Sequence, residues 1–375
     1  MANANQVGLG RSNLSTGTGY GGATDKYALY LKLFSGEMFK GFQHETIARD
    51  LVTKRTLKNG KSLQFIYTGR MTSDFHTPGT PILGNADKAP PVAEKTIVMD
   101  DLLISSAFVY DLDETLAHYE LRGEISKKIG YALAEKYDRL IFRSITRGAR
   151  SASPVSATNF VEPGGTQIRV GSGTTEADAY TAAGLVDAFY DAAAAMDEKG
   201  VSGDGRCAVL NPRQYYSLIQ AVGSNGLINR DVQGTALQGG NGIIEIAGIH
   251  IYKSMNIPFL GNYGVKYGGT TGETSPGKLG SFIGPTPENA NATGGVNNDY
   301  GTNTELGTKS CGLIFQKEAA GVVEAIGPQV QVTNGDVSVI YQGDVILGRM
   351  AMGADYLNPA AAVELYIGTT APSAF

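Results

Sequence analysis

The sequence predicts an α+β fold, and three observations carry the prediction. Residues 45–100 alternate apolar and polar side chains around an Asn-Gly pair, a strand-and-turn signature. From Asp113 to about Arg150 one apolar stripe repeats at helical spacing. The runs "GLIFQKEAAGVV", "GDVSVIYQGDVILG" and "AAVELYIG" return to strand-like alternation near the end. A chain of 375 residues has room for two or three domains and a sizeable core.

Residues 1–24 are rich in Gly, Ser, Thr and Asn and carry Arg11 as their only charge. This is the composition of a flexible arm that orders only on a partner surface. It has no apolar core of the kind a signal peptide needs. "DKYALYLKLFSGEMFKGF", Asp25 to Phe42, places Ala28, Leu31, Phe34 or Ser35, Met38 and Phe42 at helical intervals. Asp25 can cap that helix and Gly36 can interrupt it.

Residues 45–100 are predicted as a long β-arm. Asn59-Gly60 puts a two-residue turn at its tip, because such turns need positive φ. Lys58 and Lys61 flank that turn, and Leu63, Phe65 and Tyr67 share one face. Lys54, Arg55 and Arg70 add to its basic character. "HTPGTPILGNADKAPP" is punctuated by Pro and Gly and is extended. So thin an arm packs on something else, such as a neighbouring molecule.

"EKTIVMDDLLISSAFVYDLDE" is strand-like and leads into the long helix. Leu116, Tyr119, Ile125, Ile129, Leu133, Tyr137, Leu140 and Ile141 form its stripe. Asp113 and Glu114 open it, and Arg139, Arg143, Arg147 and Arg150 lie near its end, complementing the helix dipole. Unbroken, it would span about 50 Å, with Gly123 and Gly130 as points of bending. Asp111, Asp113 and Glu114 read as a helix start, because nothing else in sequence converges on them.

A linker, "SASPVSATNFVEPGGTQIRVGSGTTEADA", precedes a second domain. There "AYTAAGLVDAFYDAAAAMDEKG" is an Ala-rich helix closed by Gly200, "GRCAVLNP" a buried strand, and "PRQYYSLIQAV" a helix opened by Pro212. "IIEIAGIHIYKSMNIP" reads as one strand with a bulge at Gly248. Residues 261–312 form a long stretch rich in Gly, Asn and Thr, either functional or disordered. In the last strand Val363, Leu365 and Ile367 share a face.

Composition narrows the function. A formal net charge of −5 argues against a dedicated nucleic-acid binder but suits a wall that must not stick to nearby DNA. Cys207 and Cys311, and the scattered His44, His76, His118 and His250, fit no metal spacing. No run approaches ~18 apolar residues, so no membrane helix is predicted. No cofactor is predicted. "GETSPGKLG" nearly spells a phosphate loop, but Leu279 stands where a Ser or Thr must hold Mg²⁺. Pro285 and Pro287 forbid the helix that should follow, so Lys278 reads as a solvated loop residue.

Five segments, in order, carry a resemblance: "DKYALYLKLFSGEMFKGF", "NGKSLQF" followed by Gly69-Arg70, "YDLDETLAHYELRGEISKKIG", "AGIHIYKSMNIP" and "AMGADYLNPAAAVELY". Together they span residues 25–367, and the chain resembles the major capsid proteins of short-tailed bacteriophages. The stretch 261–312 departs most from that pattern. The resemblance implies the fold of tailed-phage and herpesvirus capsid floors. Residues 1–44 would be the N-terminal arm and short helix, and 45–100 the extended loop across a neighbour. Residues 101–150 would form the peripheral domain with its spine helix, 151–334 the axial domain, and 335–375 strands returning to both. It implies a non-enzymatic subunit that assembles as hexamers and pentamers with a scaffolding protein and a portal, enclosing packaged double-stranded DNA. Arg11, Lys58, Asn59, Gly60, Lys61 and Arg70 are the expected inter-subunit residues.

Several rivals stand beside it. Some capsids of this fold join a Lys of the extended loop to an Asn of a neighbour; Lys58, Lys61 and Asn334 are the residues available, and solvated lysines are the simpler expectation. An outer-membrane barrel would suit Phe375 and 19 Tyr, but not the long amphipathic helix. A tail-tube or sheath subunit is the nearest alternative, distinguished by forming rods rather than closed shells.

Overall fold

The structure, a computed structural model, describes residues 46–69, 75–79, 92–99, 102–110, 121–157, 160–172, 179–219, 244–254, 256–257, 310–332 and 342–373. Arg11, Arg70, Asn334, the Asp25–Phe42 helix, the carboxylates at 111–114 and residues 261–309 lie outside them. In chain order the elements are α1 (Ala48–Leu51), β1 (Thr53–Thr56), β2 (Ser62–Thr68), β3 (Val92–Val98), β4 (Leu103–Tyr110) and α2 (Leu121–Ala149). Then come β5 (Ser156–Ala157), β6 (Phe160–Val161), β7 (Thr166–Arg169), α3 (Ala182–Glu198), β8 (Arg206–Leu210), α4 (Pro212–Ile219), β9 (Ile244–Ile246) and β10 (Ile249–Lys253). The chain closes with β11 (Ser310–Gln316), β12 (Ala320–Val332), β13 (Gly343–Tyr356) and β14 (Ala362–Tyr366). The mixture is α+β, as predicted.

The larger of two compact units comprises Thr46–Asp101, Tyr137–Ala325 and Met352–Phe375. Its centre is a six-stranded sheet of order β7-β14-β11-β8-β10-β9. β8 and β11 are buried at every residue, so they read as continuous apolar runs rather than alternation. α3 turns Leu185, Ala188, Phe189, Ala192 and Met196 inward, the helical stripe expected of "LVDAFYDAAAAM". It ends in a Schellman motif: Gly200, at φ +69°, donates to Asp197 O and Val201 to Met196 O. The last strand differs from prediction. β14 is buried on both faces, because Glu364, on the face opposite Val363 and Leu365, is itself fully enclosed.

Two turns also differ. Gly248 is not a bulge: with Ala247 it makes a two-residue turn, φ 53° and 75°, joining antiparallel β9 and β10. Asn59-Gly60 is not a hairpin tip. Gly60 does have positive φ, +107°, but β1 pairs in parallel with β12, and β2 pairs with β3 through residues 69–91. A tight turn at 59–60 would have set Lys58 opposite Lys61, a like-charge cross-strand pair. Pairing β1 with β12 sets Lys54 beside Glu324 instead.

The smaller unit comprises Met1–Glu45, Leu102–Lys136 and Ile326–Ala351. Within it β4 and β13 pair antiparallel from Leu103↔Met350 to Tyr110↔Gly343. Ile129 and Leu133 of α2 pack at Gly348 of β13. A methyl there would collide with Ile129 Cγ2 and lie 3.0 Å from Leu133 Cδ1, so the glycine permits the helix's close approach. α2 is continuous through Gly130 for 29 residues, about 44 Å. Its arginines do more than answer the dipole: Arg139, Arg143 and Arg150 are buried.

Candidate assembly surface and the root of the hairpin

No group of three or more His, Cys, Asp or Glu among the described residues could hold a metal. Cys207 donates weakly to Phe315 O at 3.6 Å, and burial pushes its thiol up to about 12. Burial likewise raises Cys311 far above the ordinary range. Both are inert, apolar-site thiols. The surface with chemical character is the β2–β3 hairpin and the segment that roots it.

Two enclosed carboxylates hold that root. Glu324, in β12, accepts from Tyr137 Oη at 2.8 Å, Lys54 Nζ at 2.7 Å and Arg49 Nη2 at 3.3 Å. Its backbone carbonyl takes Leu57 N–H at 2.9 Å. Burial alone would push Glu324 up, but the bonds from Lys54, Tyr137 and Arg49 outweigh it and hold the carboxyl below its usual value. Asp138, fully buried on α2, accepts the N–H of Ile47 at 3.1 Å, of Ala48 at 3.2 Å, and Asn256 Nδ2 at 3.2 Å. These donors are all neutral. Burial therefore prevails over the hydrogen bonds from Ile47, Asn256 and Ala48, and the carboxyl rises to about 6.

The return strand is seated as firmly. Met99 N–H donates to Lys61 O at 2.8 Å, closing the ladder where the hairpin begins. Ile97 is fully buried against Gly321, and Val98 O lies where a side chain on Gly353 would stand. Lys58, Asn59, Gly60 and Lys61 are exposed at this root, not at the tip that the sequence predicts. Arg55, Lys58 and Lys61 have no ionic partner among the described residues.

On β2, Leu63, Phe65 and Tyr67 face one side, as predicted. The opposite face is mostly polar but carries exposed apolar residues: Ile66 is 75% exposed and Val92, its diagonal neighbour across the ladder, 60%. Phe75 is fully exposed. On β4, Ile104 and Phe108 stand half-exposed.

Sequence reasoning missed Glu324, Asp138, and the pair Arg150–Glu364. Arg150 grips Glu364 in bidentate fashion, Nε–Oε2 and Nη2–Oε1 both 2.7 Å. Ser310 and Gln167 complete the carboxylate's shell, and Gln167 and Arg150 also hold the carbonyls of Pro372 and Ser373. One signal was available: single charges inside apolar strand runs, "GVVEAI" and "AAVELY", are affordable only when paired.

A family model described as "Gp10A-like: Major capsid protein" matches residues 64–366, from β2 to the end of β14. The chain belongs to this major capsid protein family. The major capsid protein of Escherichia phage T7 is 24% identical over 365 residues, covering 96% of this chain and 97% of that one. The capsid structure of cyanophage P-SCSP1u is similar at 33% identity and TM-score 0.69, covering 96% and 98%. The mature capsid of bacteriophage PhiM1, at 14% identity and TM-score 0.63, shares the fold. The resemblance read from the sequence is thus borne out, and these relatives are capsid proteins rather than tail-tube or sheath subunits.

Proposed function

We propose that this capsid-family chain assembles as hexamers and pentamers into the icosahedral shell of a short-tailed phage, enclosing packaged double-stranded DNA. The observation that carries this is the end-to-end similarity to a phage capsid structure, 96% of the chain at 33% identity. A scaffolding protein and a portal are its proposed partners, and the host cytoplasm its place of synthesis. Residues 45–100 are assigned to the extended loop, 101–150 to the peripheral domain and 151–334 to the axial domain.

Assembly rests on many weak, symmetric contacts that sum to a stable closed shell. Exposed Ile66, Val92 and Phe75 supply apolar area, and Lys58 and Lys61 unpaired charge. Arg11 and Arg70 are proposed for the same role. No catalytic group is assigned. The net charge of −5 keeps the wall from binding its contents tightly.

Electron microscopy of the purified protein, expressed with and without its natural scaffold, tests the reading. Closed icosahedral shells are expected. Dispersed monomers even with scaffold present would overturn it, and reconstruction of any tubes would separate a tail component from aberrant shell growth.

A further inference from the structure

The ion pairs of the larger unit include clusters on Glu364, Glu324 and Asp355, and the last differs from the other two. Arg150–Glu364 is enclosed on both sides, so losing the arginine strands a buried charge, and Glu324 is itself buried although its cations Arg49 and Lys54 are part-exposed. The third sits at the surface. Lys95 Nζ of β3 lies 2.9 Å from Asp355 Oδ2 and 3.6 Å from the centre of the Tyr356 ring. Arg147 of α2 addresses the same two acceptors more loosely: Nη1 is 3.8 Å from Asp355 Oδ1, and its guanidinium 5.9 Å from the same ring. Lys95, Asp355 and Arg147 side chains are all partly exposed, so water can take over any of them.

The position of Lys95 gives this arrangement a consequence. It stands opposite Phe65, midway along the β2–β3 ladder. On the root side Ile97 is buried against Gly321, and the Val98 backbone carbonyl lies close to Gly353. On the outer side Ile66↔Glu94 and Thr68↔Val92 carry the exposed Ile66 and Val92. Lys95 is therefore the last side chain of the hairpin with an ionic hold on the rest of the unit, among the described residues.

We infer that Lys95, gripping Asp355 and Tyr356, is a latch that sets the angle at which the hairpin leaves the subunit, with Arg147 as the cation that satisfies the carboxylate when the latch opens. Release then strands no charge: Asp355 keeps Arg147, and the Lys95 ammonium gains water. A carboxylate with a reserve cation makes a two-position device, which the singly served Glu364 cannot be.

Hydrogen exchange on the full-length chain, kept dispersed at low concentration, reads this without requiring shells to form. It therefore stands or falls separately from the assembly reading. Lys95→Met should speed exchange of the amides of Phe65–Thr68 and Val92–Glu94 roughly three- to tenfold, the loss of one cation–π and ionic contact. Exchange in β8 and β11 should stay unchanged, and Lys95→Arg should restore protection. Arg147→Met alone should leave hairpin exchange at the wild-type rate. Combined with Lys95→Met, it should lower the melting temperature by more than the two single changes summed, because only then is Asp355 unpaired. Wild-type hairpin exchange in Lys95→Met would overturn the latch. Equal loosening by Arg147→Met, or simple additivity of the pair, would overturn the reserve role.

Discussion

Asp138 is buried with three neutral donors and, among the described residues, no cation bonded to it, and its titration follows from that. Its pKa in the folded chain is raised, so the fold binds this proton more tightly than the unfolded chain does. The stabilisation this brings is complete below the unfolded value near 4 and is lost as pH rises through about 6. The swing is of order 2–3 kcal/mol. Wild type should therefore gain stability relative to Asp138→Asn as pH falls from about 7 to 5, read from denaturant midpoints at each pH; a constant difference would refute it. Glu364, by contrast, is gripped by a bidentate arginine. Arg150→Met should cost about 3–5 kcal/mol by stranding that carboxylate, while Arg150→Met with Glu364→Leu should recover much of the loss. Urea unfolding of the two variants decides this. Neither residue could be assigned its role from sequence, because the partner of Arg150 is 214 positions away.

Among the elements, α2 was the most legible. Its stripe from Ile129 to Ile141 needs only local spacing, and the structure buries those residues as expected. Ile129→Asp should abolish folding by placing an unpaired charge in that seam; a soluble variant with a cooperative melt would contradict this. Gly348→Ala should destabilise by about 1–3 kcal/mol through overpacking on Ile129 and Leu133, visible as a lowered melting temperature. The turns were less legible. In Asn59-Gly60 only the glycine takes positive φ, whereas in Ala247-Gly248 both residues do, and only the second pair joins paired strands. Turn chemistry specifies a local backbone, whereas pairing depends on which distant strand offers a better partner. For β1 that partner is β12, with Glu324 ready for Lys54.

For the whole molecule, shell formation should respond to changes that leave the subunit's stability alone. Lys58→Glu with Lys61→Glu should lower particle yield while the melting temperature stays within about 1 °C, since exposed, unpaired charges contribute little to folding. Deleting residues 1–20 should likewise leave a folded subunit that makes weaker shells; wild-type yield and heat stability would contradict it. By itself the sequence determined the α+β class, the long helix, the Ala-rich α3 and the family, because helical periodicity, caps and ordered motifs are local or collinear properties. Only the tertiary structure decided which strands β1 and β2 pair with, that β14 is buried on both faces, and which cations serve Glu324, Glu364 and Asp355. Those outcomes depend on strand pairing and charge desolvation between residues far apart in the chain, and the lowest free energy there belongs to the set of contacts rather than to any one segment.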